Sequence, residues 1–178
     1  IFNTICGAIR PTMGRAMFDG CEMSGLPPER VAALGVARTF QNVRLFGELS
    51  LRENVMMGAY RSGRCGFVAS MLRLGVHRRL ERSAAERADH WLDRLGLSAY
   101  GGVQATALPF GLQRVAELAR AMASEPALLL LDEPAAGLNE PEKARLSQLL
   151  REIVDEADCS LLLVEHNMPL VMGLVDRV

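Results

Sequence analysis

The chain has 178 residues, 49% of them apolar and 23% charged, with a formal net charge of -1. That balance suits a globular protein with one domain, or a core plus a small subdomain. It excludes any bulk attraction for nucleic acid or an anionic membrane, so no nucleic-acid partner is expected. Four cysteines, Cys6, Cys21, Cys65 and Cys159, are scattered and form no CxxC. They read as free thiols in a reducing compartment, not as a disulfide framework or a metal site. The longest uncharged stretch, residues 95–113, holds four glycines and Pro109 and is too polar and too broken to span a bilayer.

Phe2, Ile5, Cys6 and Ile9 recur at helical spacing, so the chain is predicted to open inside a helix that residues 10–14 end. No initiator Met, signal pattern or helix cap precedes Ile1, and Asp176-Arg177-Val178 carries no stop signal. Both ends are therefore expected to be cut. A strand at 15–18 with an Asp19-Gly20 turn, a short helix opening at Pro27-Pro28 and a strand at 35–39 follow. The last delivers Phe40-Gln41-Asn42 to a loop. Residues 51–97 read as helical, with Leu80, Ala84, Ala88, Trp91, Leu92 and Leu95 in one apolar stripe and His77 and His90 facing solvent. The basic residues between 61 and 94 are interleaved with Glu81, Glu86, Asp89 and Asp93, the pattern of a solvated face.

After Gly111 the pattern alternates helix and strand. Val115, Leu118, Ala119 and Met122 make one helix face, and Leu146, Leu149, Leu150, Ile153, Val154 and Ala157 make another. The apolar runs 127–131 and 160–164 lack polar alternation, which predicts strands of a parallel sheet buried on both faces. In such α/β sheets ligand chemistry gathers at the carboxyl ends of the strands. Both runs end in polar residues there. Asp132 could hold a hard cation such as Mg²⁺ through oxygen, and Glu133 could orient and deprotonate a water; a solvated acidic turn is the plainer alternative. His166 could hydrogen-bond a transferring phosphate, or be a structural histidine.

The order of motifs is more specific than any one of them. Residues 108–114 (LPFGLQR) lead into a helix ending in ASEP, and LLLLDEP follows at once. This resembles the signature motif, its helix and the Walker B strand of ATP-binding-cassette (ABC) ATPases. Residues 37–41 (ARTFQ) resemble the Q-loop, 136–139 (AGLN) the D-loop, and His166 takes the switch-histidine position. Residues 27–30 (PPER), 37–46 (ARTFQNVRLF), 53–56 (ENVM) and 165–168 (EHNM) narrow the resemblance to the branched-chain amino-acid importer family. Its LivG-type subunit is nearer than its shorter LivF-type partner; urea and amide importers share much of the pattern.

The resemblance implies an α/β fold, a P-loop NTPase-like parallel sheet core over 1–50 and 114–178 that is incomplete at the N-terminus. A helical subdomain over 51–113 is inserted and ends in the signature. ATP and Mg²⁺ are the implied cofactors. The implied partners are membrane permease subunits and a paralogous ATP-binding subunit in a head-to-tail dimer, at the cytoplasmic face of the inner membrane. Asp132 would hold Mg²⁺, Glu133 would polarise the attacking water, and His166 would contact the γ-phosphate. Gln41 would touch Mg²⁺ and water and link the site to the permease. Phe110, Gly111, Gln113 and Asn139 would close over ATP bound to the opposite subunit. Pro109 and Phe110 stand where a typical signature has Ser and Gly, so contact is expected from backbone N–H groups near Gly111 or from Gln113. Asn139 stands where many D-loops have Asp.

The apolar group Phe46, Leu49, Leu51, Val55, Met56 and Met57 is expected to receive the permease, with packing of the subdomain interface as the alternative. No GxxxxGK[ST] occurs in the 178 residues. The family places it just before Ile1, so the chain alone is expected not to hydrolyse ATP. Two other readings stay open. One is a soluble ABC ATPase of DNA repair or translation, though such proteins carry a long coiled-coil insert or tandem cassettes. The other is a non-catalytic truncated product.

Overall fold

The apolar runs that end in polar tips lie side by side. A computed structural model describes residues 1–39, 43–60 and 74–177, with backbone alone at 74–77. In chain order the elements are α1 (Phe2–Ile5), the hairpin β1 (Met17–Phe18) and β2 (Cys21–Glu22), α2 (Pro28–Ala33), β3 (Val36–Arg38), α3 (Leu51–Ala59), α4 (Leu74–Arg94), α5 (Phe110–Met122), β4 (Leu128–Asp132), α6 (Glu140–Glu156), β5 (Ser160–Val164) and α7 (Met168–Leu174). The strands β3, β4 and β5 form a parallel sheet in that order.

Side chains of a strand point alternately to its two faces, and β4 shows why its run of leucines has no polar interruptions. Leu130 packs with Phe2, Met23, Val31 and Val36 on one side. Leu129 and Leu131 pack with α5, α6 and the helices beyond on the other. All three are at most 1% exposed, and each such burial contributes about 1.5–3 kcal/mol.

The similar run in β5 behaves differently. Leu161 and Leu163 pack on the main core, but Leu162 and Val164 are 40% and 42% exposed. The expectation of burial on both faces is corrected: β5 is the end strand, and only one of its faces is covered by described residues.

The opening helix is also shorter than predicted. It ends at Ile5, and Gly7 follows at φ +74°. A Cβ at Gly7 would clash with the Leu26 carbonyl and come within 3.2 Å of the Pro27 carbonyl carbon. Glycine alone permits this turn and this approach of two backbones, and Ile9 is left exposed.

The helix α3 begins with a capping box in which Ser50 and Glu53 satisfy each other's backbone N–H groups. Arg52 then reaches α4, donating to both carboxylate oxygens of Asp89 at 2.6 and 2.8 Å. Ala84, Ala88, Leu92 and Leu95 are buried as the stripe predicts, whereas Leu80 is exposed. Trp91 is half-buried with the exposed His90 ring edge-on to it, 5.2 Å away. One apolar cluster runs from α3 and α4 through α5 to β4 and α6, so the helical segment and the sheet share a core.

Candidate functional site at the strand tips

Because β4 and β5 are parallel with Asp132 paired to Val164, their carboxyl ends share one edge. Glu133 adds one more bond to the ladder, its N–H donating to the Val164 carbonyl at 2.8 Å. Its φ is +48°, a left-handed conformation that non-glycine residues adopt at a cost and that gathers at functional sites. From this turn the Glu133 carboxylate meets His166, whose Nε2 lies 3.0 Å from Glu133 Oε1. The imidazole is 83% exposed and the carboxylate 25%, so the pair opens to solvent. Burial pushes the Glu165 carboxyl up, and the charge of Glu133 adds to this. The His166 backbone N–H, the His166 ring and the Ala135 backbone N–H oppose it.

Asp132 Oδ2 accepts from Arg38 Nη2 at 2.9 Å. Arg38 comes from the tip of β3, also donates to Asn3 Oδ1 at 2.6 Å, and lies over the Phe2 ring. Arg38 is the member of the site that sequence reasoning missed. The available signal was its charge at the end of a buried strand, which calls for an acidic neighbour. Among the described residues no group of three or more His, Cys, Asp or Glu could hold a metal. Mg²⁺ takes one or two carboxylates and completes its shell with water and phosphate oxygens, so Asp132 could serve it only by sharing or exchanging the Arg38 contact at Oδ2.

A second set gathers where α5 and α6 begin. Pro109 caps α5 with extended backbone, and the Phe110 ring lies 5.2 Å from the Arg114 guanidinium. Phe110 also covers Gly137, where a Cβ would come 2.9 Å from its Cε1. Gly111 presses on Glu142, whose Cδ would be 2.8 Å from an added Cβ. Glu142 in turn closes the capping box with Asn139, each accepting from the other's backbone N–H at 2.9 Å. The side chain of Asn139 is thus engaged in capping α6. Gln113 Nε2 donates to the Leu108 and Thr106 carbonyls at 2.8 and 3.3 Å, bracing the preceding loop. Gln41 lies outside the described residues.

An open cleft of about 890 Å³ lies between α2, α3 and α5, and Val31, Phe46, Met57 and Tyr60 are among its lining residues. Of the apolar group read from the sequence, Phe46 and Met57 face it and are exposed, while Leu51 and Val55 are wholly buried.

The ABC transporter family model matches residues 1–136. The chain belongs to the ABC transporter family. Over all 178 residues this ABC chain is 40% identical to the high-affinity branched-chain amino acid transport ATP-binding protein LivG of Escherichia coli (strain K12), spanning 70% of it. It is 42% identical to the corresponding protein BraF of Pseudomonas aeruginosa, again over the whole chain and 70% of the relative. The ADP conformation of an ABC transporter's ATP-binding cassette superposes with a TM-score of 0.80 at 24% identity, over 98% of this chain and 68% of that one. A dimeric bacterial ABC transporter cassette gives 0.75 at 22%, over 96% and 70%. At that identity the likeness carries the fold, an α/β ABC ATPase core around a parallel sheet.

Proposed function

We propose that the chain belongs to the ATP-binding subunit of an importer that hydrolyses ATP to drive uptake of branched-chain amino acids or closely related solutes. The hydrogen-bonded Glu133–His166 pair beside Asp132, at neighbouring strand tips, carries this reading. The identity to LivG and BraF supports the substrate class.

In this reading residues 1–50 and 114–178 form the ATPase core and 51–113 a helical subdomain. Asp132 would hold Mg²⁺, which when bound draws charge from the phosphates. Glu133 would take the proton of the attacking water, and His166, already 3.0 Å from it, would turn to hydrogen-bond the γ-phosphate. Gln41 would touch Mg²⁺ and water and link the site to the permease. The first N–H groups of α5, at Phe110, Gly111 and Leu112, have no intrahelical acceptor and would face ATP held by an opposing subunit. Phe110 and Asn139 would keep that patch in shape, with Gln113 bracing the loop before it.

The dimeric cassettes among structural neighbours support a pair of ATP-binding subunits; in this reading the partner is a paralogous subunit, placed head to tail. The cleft with Phe46 and Met57 at its wall would receive a permease helix, adaptable Met side chains suiting such a groove. No helix among the described residues is long and apolar enough to cross a membrane, and peripheral attachment at the cytoplasmic face through the permease fits the reading.

Glu133→Gln in the full-length subunit is the test. It keeps the shape and removes the base, so hydrolysis should fall about 10²–10⁴-fold with ATP affinity retained. Turnover within about threefold of wild type, roughly 0.7 kcal/mol of barrier, would refute the assignment.

A further inference from the structure

Glu117, in the middle of α5, is 2% exposed, and none of the chemistry above uses it. Its carboxylate reaches out of the helix to the loop downstream of Gln41. Glu117 Oε1 accepts from the backbone N–H of Arg44 at 2.9 Å. The carbonyl of the same residue accepts from Arg120 Nη1 at 2.6 Å. Position 44 is thus gripped at both its backbone polar groups by side chains from one helix, one turn apart. The Arg120 guanidinium also lies 5.8 Å from the Phe46 ring. Charge is balanced locally: Arg114 Nη1 is 3.6 Å from Glu117 Oε2, and Arg120 Nη2 is 3.7 Å from Oε1.

Burying a carboxylate costs more than burying an apolar side chain of similar size, even when it is paired. Here it sits between Arg114 and Arg120, whose charges offset its own, and that pairing by itself requires no contact with a loop. What the carboxylate adds is direction. A loop held through one hydrogen bond can pivot about it; one held through both N–H and C=O of a residue keeps its orientation relative to the helix.

We propose that Glu117 and Arg120 are positioning residues that lock residues 44–46 to α5. Residues 44–46 and the signature end of α5, Phe110 and Gly111, then move as one body. A displacement at the cleft wall, where Phe46 sits, is carried to the patch that closes on ATP. This rests on the reading above, in which the cleft receives the permease and the start of α5 acts on nucleotide.

The experiment uses the full-length subunit with its permease, in wild type, Glu117→Leu and Glu117→Gln. Hydrogen exchange of the peptide spanning residues 43–46 should speed up at least tenfold in Glu117→Leu, with exchange in α6 unchanged. Glu117→Gln still offers an oxygen to the Arg44 N–H and should keep most of the protection. The ratio of permease-stimulated to basal ATPase rate should fall at least fivefold in Glu117→Leu and be largely rescued in Glu117→Gln. Unchanged exchange overturns the grip. Faster exchange with an unchanged ratio, both rates falling together, overturns the transmission. If Glu117→Leu does not fold, Arg120→Met removes the other half of the grip and is read in the same way. The catalytic reading fails separately, on an active Glu133→Gln, while the exchange result still decides the grip.

Discussion

Replacing Gly58 by alanine sets helix propensity against packing in one substitution. Gly58 lies inside α3, where alanine is favoured by about 0.8–1.0 kcal/mol. Propensity alone therefore predicts a more stable protein. The structure predicts the opposite. A Cβ at Gly58 would collide with the backbone carbonyl oxygen of Arg120 and sit 2.8 Å from its carbon and 3.1 Å from its Cγ. A carbon–carbon contact needs about 3.5–4.0 Å, so α3 and α5 would have to part by about 1 Å. That gap forfeits about a quarter to a half of each dispersion contact between them, and the interface is small-residue packing, with Ala59, Ala116, Ala119 and Ala123 all buried. Overpacking of this kind costs about 1–3 kcal/mol. The upper end applies because the obstacle is backbone, so the net loss is about 2 kcal/mol. Thermal unfolding of the full-length subunit should show a Tm lower by about 4–8 °C, at about 2–4 °C per kcal/mol. Gly102→Ala is the control: its Cβ meets nothing within 4 Å, and its Tm should stay within about 1 °C of wild type. A Gly58→Ala protein as stable as wild type, or more so, would refute the packing argument.

Asn54 is wholly buried, accepts from the Phe46 N–H, and donates to the Phe46, Leu49 and Ser50 carbonyls at 3.0–3.2 Å. Asn54→Leu keeps the branching but leaves the Phe46 N–H without its acceptor, at about 1–3 kcal/mol, while each of the three carbonyls keeps a backbone donor; it should lower the denaturant midpoint with little change in m. Phe46→Asp and Met57→Asp, both at exposed positions of the cleft, should abolish amino-acid uptake in vesicles while the subunit alone still hydrolyses ATP; normal uptake by both variants would remove the cleft as docking site. A polypeptide of these 178 residues has Lys143 as its one lysine and no phosphate-cradling GxxxxGK[ST] run, so Asp132, Glu133 and His166 have no held γ-phosphate to act on. Calorimetric titration with Mg-ATP should show no saturable binding tighter than about 100 μM, near -5.5 kcal/mol.

Hydrophobic runs find strands but do not rank them within a sheet. Residues 128–131 and 161–164 look alike in sequence, yet one sits at the centre and the other at the end. A run reports what a strand's own side chains tolerate; how many layers cover it depends on pairing between distant segments. The opening helix fails for a related reason. Periodicity carries it to Ile9, and nothing within residues 1–9 reveals that Gly7 must turn against the carbonyl of Leu26. The hairpin needed no such information: Asp19 and Gly20, at φ 46° and 73°, are residues that take left-handed positions readily.

The candidate site divides along the same line. Asp132, Glu133 and His166 were legible as candidates because parallel strands bring their carboxyl tips to one edge, where ligand chemistry gathers in such sheets. Arg38 was quoted within a motif but could not be given a partner until β3 was known to lie beside β4. Glu117 was less visible still. The apolar positions 115, 118, 119 and 122 define a single face of α5, and 117 falls outside it, where a charged residue reads as solvated. The helix is in fact covered on a second side by residues 44–46, with Arg114, Ala116 and Glu117 all buried. Amphipathic spacing finds the first face of a helix; a second buried face is written in polar residues, and each of those becomes meaningful only through the backbone it holds.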